Sequence, residues 1–251
     1  MTAAERLDAV DLRIGIPDAG TARTAAALGL DRAKASERAV HLLEDFSSSP
    51  GLLATVGATA RLVEIPRASD VTVQLRAVRR ARLDPDWLSF YSDDRHHLQI
   101  AEEWTPDRRI MTASLTARLD AAIPALAVIP DPDGARPGHG LLSAMQRDFL
   151  ASCTGLVVED DRLTLLGPIV ERAWRLRRYD FDFLVRRWTA HRPGRGADLD
   201  LIDLERASIE ADAPFLLPAL RSLALRQGVD PSEDVEPVVV RAVAWLSRYW
   251  R

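Results

Sequence analysis

Few segments of this chain combine side chains that could do chemistry, and the densest is DDRHH, from Asp93 to His97. It places two carboxylates beside two imidazoles, and both groups are common metal ligands. Because His96 and His97 are adjacent, they would point to opposite faces if the segment is a strand. The pattern therefore favours an exposed polar turn, and we expect neither a metal nor another cofactor.

A second candidate is RRWTAH, in which Arg186 precedes His191 by five positions. An imidazole can shuttle a proton while a guanidinium holds a phosphate. This spacing resembles the motif of HEPN-type ribonucleases, which implies RNA cleavage by these two residues at a helix end. Arg187 stands where that family usually has a polar residue. The alternative is a basic helix end beside carbonyl groups, so no catalytic residue is assigned.

The third candidate, LGLDRAKASERAVHLLEDF at residues 28–46, contains Lys34, the only lysine of the chain. Gly29 ends an alanine-rich helix, and Asp31 can cap the next one. Apolar residues then recur at helical spacing, which predicts a second helix. The turn formers SSSPG follow, and two β-prone runs around Gly57 predict a hairpin.

This order of helix, turn, helix and hairpin resembles the winged helix-turn-helix family over residues 1–66. The apolar and glycine positions that carry the resemblance are Ala25, Leu28, Gly29, Leu30, Ala35, Ala39 and Leu42. In that family the second helix enters the major groove of DNA. The resemblance therefore implies that Lys34, Glu37, Arg38 and His41 on the polar face of this helix read the DNA, with Arg32 at a phosphate.

A second copy of the motif is possible at residues 141–178. GLLSAMQRDFLASCTG predicts a helix, LVVEDDRLTLLGP a hairpin, and IVERAWRLRR another helix, and the hairpin resembles the wing of bacterial winged helices. The alternative is a plain hairpin between helices. Residues 150–196 carry nine basic and six acidic side chains, whereas residues 1–66 carry seven and nine. Arg175, Arg177 and Arg178 are therefore further candidates for DNA contact.

The remaining segments give the domain division. DVTVQLRAV alternates, with Val71, Val73 and Leu75 on one side and Thr72, Gln74 and Arg76 on the other. This pattern predicts a small antiparallel sheet, or a small α/β unit with one helix, within residues 67–130. The proline- and glycine-rich residues 131–140 predict a linker. Residues 141–251 predict a helical domain, with helices over YDFDFLVRRWTAH and from near Pro237. The fold class expected is α+β and mainly helical.

Composition restricts the cellular setting. Cys153 is the single cysteine among 251 residues, so no internal disulfide can form and a cytoplasmic location is expected. Neither a secretory signal nor a membrane span is expected. The surplus of arginine over lysine suggests a GC-rich bacterial genome.

These patterns favour a bacterial DNA-binding winged-helix protein, with a regulatory role, over an enzyme. Phosphate-cradling glycine motifs and a nucleophile elbow are absent from the sequence. Two alternatives stay open. One is a tandem winged-helix subunit that binds a protein partner in a condensin-like assembly, and the other is the HEPN-like ribonuclease. For the DNA-binding protein, a homodimer is a further expected partner.

Overall fold

The computed structural model describes residues 6–47, 51–65, 68–119, 136–178, 180–191, 198–229 and 235–248. Within them, nine long strands form a closed β-barrel, and a two-residue strand adds to its rim. The strands are β1 (Ala9–Ile16), β2 (Ser36–Asp45), β3 (Ala58–Ile65), β4 (Ala68–Arg76), β5 (His96–Trp104), β6 (Arg109–Leu119), β7 (Arg136–Pro137), β8 (Leu163–Arg178), β9 (Phe181–Ala190) and β10 (Leu199–Ser208).

Around the barrel the order is β2, β3, β4, β6, β5, β1, β10, β9 and β8, and β8 pairs with β2 to close the circle. The neighbours are antiparallel except β1 and β5, which run parallel. The short β7 pairs with β8 through the backbone at residues 164–165. Closure leaves none of these nine strands with an unpaired edge, and strand alternation divides side chains between the interior and the outside.

Helices cover the outside of the barrel. Two of them are α1 (Thr21–Leu28) and α5 (Ala213–Arg226), which pack in one apolar cluster with outward residues of β1, β8, β9 and β10. A second cluster joins α4 (Ala144–Thr154) to the outer faces of β3 to β6. The short α2 (Leu52–Thr55) and α3 (Pro85–Leu88) lie in connections. None of the helices in the described ranges is long and apolar enough to cross a membrane.

The last helix, α6 (Val238–Arg248), fills part of the barrel interior instead. Val239, Ala242 and Val243 pack against inward side chains such as Trp188 and Leu201. These apolar residues fill part of the barrel interior, and they form the floor of the cavity that remains beside them.

Charged groups hold the beginning of α6 in place. Glu236 accepts hydrogen bonds from Arg76 Nη1 at 2.6 Å and from Arg108 Nη2 at 2.8 Å. The side chain of Arg241 donates to Asp203 Oδ1 at 3.0 Å and to the carbonyl of Ile16 at 2.8 Å. The helix predicted from near Pro237 is confirmed.

Several other local predictions are also confirmed. Helix α1 ends at Gly29, whose φ of +68° gives the left-handed cap expected of glycine. Helix α4 lies where GLLSAMQRDFLASCTG predicted it and begins with a reciprocal capping box between Ser143 and Gln146. The alternation over residues 71–76 holds as well, because Val71, Val73 and Leu75 lie in the outer apolar cluster.

The prediction of a mainly helical α+β fold with winged-helix units is wrong. The recognition helix was expected over residues 33–46, but residues 36–45 form β2 and pair with β3 and β8. Val40 and Leu42 face α6, whereas Leu43 faces the cluster under α4, so both sides of this strand are buried. A strand buried on both faces loses its polar alternation, and its apolar residues then match helical spacing equally well.

The same error affects the second half of the chain. The segments IVERAWRLRR and YDFDFLVRRWTAH, expected to be helices, are the neighbouring strands β8 and β9. The supposed second winged helix at 141–178 therefore consists of α4 followed by a barrel strand. The first half of the linker predicted at 131–140, residues 131–135, lies outside the described residues, and Arg136–Pro137 of its second half form β7.

Candidate functional site

A cavity of about 810 Å³ occupies the barrel interior between α6 and the ends of the strands. Pro237, Val238 and Val239 contribute to its floor. The wall formed by β1, β8, β9 and β10 is rich in charge, whereas β4, β5 and β6 contribute the uncharged polar side chains Gln74, Gln99 and Ser114 beside Glu103. The charged side chains lining the cavity are Asp11, Arg13, Arg61, Glu103, Arg175, Arg177, Asp182, Arg186, Asp203, Glu205 and Arg206.

Most of the interior charges neutralise each other. Arg186 donates from Nε to Glu205 Oε2 at 2.6 Å and from Nη1 to Glu171 Oε1 at 3.2 Å. The same Glu171 accepts from Arg38 Nε at 2.6 Å and from Trp188 Nε1 at 2.9 Å. Glu205 and then Glu171 raise the pKa of Arg186, although its burial opposes them. Burial disfavours the charged form of Glu171, but Arg186 and Arg38 outweigh it and lower the pKa of this carboxyl.

A second network lies beside the first. Arg13 Nε donates to Glu103 Oε1 at 3.1 Å, and its Nη1 lies 3.4 Å from Asp203 Oδ2. Arg76 donates from Nη2 to the same Glu103 oxygen at 2.6 Å. Asp203 also accepts from Arg241 and from the backbone N–H of Val238 at 3.1 Å. These contacts join the charged wall to the beginning of α6, so the cavity and its floor form one connected unit.

Arg61 differs from the other interior arginines. It projects from β3 into the cavity and makes no hydrogen bond or ion pair within the described residues. Its burial, followed by the nearby charges of Arg186 and Arg38, lowers the pKa of its guanidinium, and Glu171 and Glu205 compensate only in part. An unpaired cation inside a protein is costly, so Arg61 is the natural attachment point for an anion.

Asp11 carries a charge opposite to that of Arg61 and, like Arg61, has no partner within the described residues. It lines the cavity from β1, and its carboxylate accepts no hydrogen bond within the part of the chain that the structure describes. Burial and the neighbouring carboxylates of Glu205 and Glu103 raise its pKa to about 6. A ligand that offers a hydrogen-bond donor or a cation at this point would favour the ionised form.

The facing wall carries three uncharged polar side chains in register. Gln74 on β4 lies opposite Ser114 on β6, and Ser114 lies opposite Gln99 on β5. All three line the cavity, and none of their side chains makes a hydrogen bond within the described ranges. The cavity therefore combines the unpaired guanidinium of Arg61, the unpaired carboxyl of Asp11 and a neutral row that can donate and accept.

The interior carboxylates do not form a ready set of metal ligands. Glu103, Glu171, Asp203 and Glu205 each accept hydrogen bonds from arginine. Among the described residues, no group of three histidine, cysteine, aspartate or glutamate side chains is arranged to hold a metal ion. Asp11 is the cavity carboxylate that a cation carried by a ligand could reach without displacing an arginine.

The structure distributes the predicted DNA contacts widely. Arg32 ends a 3-10 turn and Lys34 lies in the connection after it, and both side chains are exposed. Arg38 lies at the rim of the barrel, where it pairs with Glu171. His41 points outward from β2, with its Nε2 at 2.8 Å from Glu64 Oε1. These four residues share no helical face.

The second group of predicted contacts lies at the far end of β8. Arg175 and Arg177 line the cavity, and Arg177 lies 3.0 Å from Asp180. Arg175 is exposed and makes no hydrogen bond or ion pair within the described ranges. Arg178 is the next residue after Arg177 and therefore lies on the outer face of β8. Its side chain donates to the backbone carbonyls of Arg177 and Leu28.

Arg186 and His191 are not a catalytic pair. Arg186 points into the barrel from β9, whereas His191 follows the end of that strand and is exposed, with its Nδ1 at 2.6 Å from Asp198. The DDRHH segment forms the turn before β5 and its first residues, as the polar-turn interpretation predicted. Sequence analysis missed Arg61 altogether, although a charged residue between Ala60 and Leu62 in a β-prone run was a usable signal.

Comparisons with known proteins found distant similarity to solved structures. No protein-family model matches the chain, and no curated protein sequence does. A protein from Hippeastrum, described as an adenylyl cyclase candidate with a dominant triphosphatase activity, shares 13% identity and a TM-score of 0.49, covering 93% of this chain and 95% of its own. An adenylate cyclase candidate from Bacillus halodurans shares 9% identity and a TM-score of 0.43, with 92% and 96% covered.

A protein from Pyrococcus horikoshii is similar at 9% identity and a TM-score of 0.41, covering 96% of this chain and 99% of its own. Similarity at this level concerns the course of the chain and does not establish its chemistry. The architecture itself is established by the strand pairing of this molecule.

The functional predictions made from the sequence are wrong, because the segments on which they depended belong to a β-barrel. The DNA-binding and transcription-regulation hypotheses depended on a recognition helix, and residues 36–45 are instead a strand inside a closed sheet. The hypothesis of a condensin-like protein partner depended on tandem winged helices, and the hypothesis of a homodimer belonged to the DNA-binding winged-helix protein. Both lose their basis because the chain contains no winged helix within the described residues. The ribonuclease hypothesis required Arg186 and His191 on one helix end, and the structure separates them.

Proposed function

We propose that the cavity binds a ligand with several negative charges, of the oligophosphate class, and that Arg61 is its central contact. The observation that carries the proposal is the contrast between Arg61, which has no partner, and Arg186, which has two carboxylates. A guanidinium offers a planar set of donors that suits phosphate oxygens, and an interior position strengthens such a contact.

The surrounding charges support more than one phosphate group. Arg175 also lines the cavity without a partner in the described residues, and Arg177 lies two positions further along the same strand face. Arg61 and Arg175 line the same cavity from β3 and β8. A ligand with several phosphate groups offers a partner to more than one of these cations, whereas a single small anion offers a partner to one.

The proposal concerns binding. The interior carboxylates other than Asp11 are already engaged by arginine, so we derive no phosphoryl-transfer step. The Hippeastrum protein is described as a triphosphatase, but the proposal for this chain rests on Arg61 and its surroundings. A cytoplasmic location, where Cys153 would stay reduced, fits an anionic metabolite as ligand.

Calorimetric titration of the whole protein with tripolyphosphate tests the proposal. We expect saturable binding that Arg61→Gln weakens by roughly 10- to 100-fold, which corresponds to about 1.4 to 2.7 kcal/mol. The matched control is Arg172→Gln, which removes the same charge from β8 at a position that is exposed and paired with Glu37. This control is expected to leave the affinity unchanged within about twofold, since exposed pairs contribute little.

Two outcomes would overturn the proposal. If Arg61→Gln and Arg172→Gln weaken binding equally, the ligand responds to net charge and not to the cavity. If citrate binds as tightly as tripolyphosphate in an Arg61-dependent way, the cavity recognises anions in general and the phosphate class is wrong.

A further inference from the structure

We propose that the row Gln74, Ser114 and Gln99 is a specificity-determining subsite that holds an uncharged organic group, so that the ligand is an organic phosphate ester of the nucleotide type and not an inorganic phosphate chain. This inference rests on the proposed function, because Arg61 supplies the contact for the phosphate. The inference identifies the side chains that recognise the part of the ligand other than its phosphate.

The three side chains form one continuous surface. Residues paired across neighbouring antiparallel strands have Cβ atoms roughly 4.5–5.5 Å apart. The pairs Gln74 with Ser114 and Ser114 with Gln99 therefore place two amides and a hydroxyl side by side on the inner face of β4, β6 and β5. A ligand of modest size can contact all three.

These groups have unused hydrogen-bonding capacity. In the neighbouring row, Thr72 and Thr116 satisfy each other through a hydrogen bond of 2.9 Å between their hydroxyls. Gln74, Ser114 and Gln99 make no such bond within the described residues, although each amide has two donor hydrogens and an acceptor oxygen. The row therefore exposes donors and acceptors to the cavity without an internal partner.

The chemistry of the row suits an uncharged polar group. A phosphate gains more from arginine than from an amide, since hydrogen bonds to charged groups are the stronger ones. A glutamine amide presents a donor and an acceptor side by side, which matches the edge of a nucleobase. The row of uncharged side chains and the arginines of the cavity thus offer separate positions to the two halves of a nucleotide.

The dimensions of the cavity agree with a ligand of this kind. Its volume of about 810 Å³ lies within the roughly 300–1,000 Å³ typical of small-molecule sites and exceeds the needs of a short phosphate chain. Arg61 lies directly opposite Thr72 on β4. Thr72 and Gln74 are successive residues on the same face of that strand, so Arg61 lies close to Gln74. A phosphate held by Arg61 would leave its ester group beside the row.

The test compares two probes on the same set of proteins. ATP and tripolyphosphate are titrated into the wild type, Gln74→Leu and Gln99→Leu, with Gln227→Leu after α5 as the control outside the barrel. We expect each cavity variant to weaken ATP binding by roughly tenfold, since it loses about one hydrogen bond to a ligand, and to leave tripolyphosphate binding unchanged. The control is expected to change neither. Titrations with GTP and UTP then report whether the row selects a base.

The possible failures can be told apart. If tripolyphosphate binds with Arg61 dependence but ATP binding is insensitive to both glutamines, the subsite is wrong and the proposed function stands. If the glutamine variants weaken both probes equally, the row supports the barrel and does not read the ligand. If neither probe binds the wild type, the proposed function fails and this inference fails with it.

Discussion

Arg61 and Arg186 enter the same cavity from β3 and β9, but only Arg186 has carboxylate partners, at 2.6 Å and 3.2 Å. The contacts of Arg186 stabilise the barrel, because they join β8, β9 and β10. Arg61 makes no hydrogen bond or ion pair within the described residues. Such a residue is maintained at a cost to stability, and its presence is best explained by a ligand.

Replacing Arg61 with methionine should therefore stabilise the ligand-free protein. The change removes an unpaired interior charge and keeps a side chain of similar length. We expect a higher melting temperature, by roughly 2–4 °C for each kcal/mol gained in a chain of this size. Differential scanning calorimetry measures it, with Arg172→Met on the outer face as the control. A lower melting temperature for Arg61→Met would mean that Arg61 stabilises the barrel.

Glu171→Gln should have the opposite effect. The glutamate neutralises Arg38 and Arg186 and accepts from Trp188, and its side chain is 1% exposed. Removing one member of a buried charge network leaves the others uncompensated, and we expect a loss of about 3–5 kcal/mol in unfolding free energy.

Urea denaturation measures this loss, and Glu37→Gln provides a control on the outside of the barrel. Glu37 pairs with Arg172 at 2.8 Å, with both side chains about half exposed, so its replacement is expected to cost less than about 1 kcal/mol. Equal losses for the two variants would refute the assignment of Glu171 as the centre of the network.

Glu44 should make stability depend on pH. Its buried carboxylate accepts the backbone N–H groups of Asp45, Leu53 and Ala54 without a cationic partner. Burial raises its pKa from 4.5 to about 7. Because the folded state holds this proton more tightly than the unfolded state, the contribution is fully present below pH 4.5. It is lost as the pH rises to about 7, and the loss is on the order of 3 kcal/mol.

The comparison with Glu44→Gln isolates this contribution. The amide oxygen can keep the bonds to Asp45 and Leu53, so the variant should fold, with a constant cost of about 1 kcal/mol for the third bond. Denaturant melts from pH 4.5 to 8 should give a smaller downward slope for the variant than for the wild type. Identical slopes would contradict the raised pKa.

Gly51→Ala should disturb the same region through sterics. Gly51 has a φ of +144°, and a Cβ at this position would lie 2.6 Å from Glu44 Cδ. The control, Gly155→Ala, has a φ of +75° with nothing within 4 Å of the added carbon. Both changes strain the backbone by about 1 kcal/mol or more, and only the first also displaces a buried carboxylate. Thermal melts should therefore give a clearly larger loss for Gly51→Ala.

Local features of the sequence predicted the elements that local physics controls. The alanine-rich segment before Gly29, the capping box at Ser143 and the helix after Pro237 are all present. The alternation around Gln74 also placed that residue correctly opposite the apolar face. Each of these signals lies within a few residues of the element that it specifies.

The errors concern strands whose partners lie far away in the chain. Ser36 in β2 pairs with Ala173 in β8, and no local sequence pattern around residue 36 predicts that pairing. Once both faces of β2 are covered, by α6 inside and by apolar side chains outside, its composition no longer distinguishes it from a helix.

The sequence by itself determined where several helices begin and end and which side chains of β4 share a face, because these depend on backbone conformation and on alternation. Only the tertiary structure decided that the strands close into a barrel, that β8 and β9 are strands, and that Arg61 is the interior arginine without a carboxylate. The reason is physical: hydrogen bonds between distant strands and the pairing of charges across a cavity depend on residues that the chain brings together only when it folds.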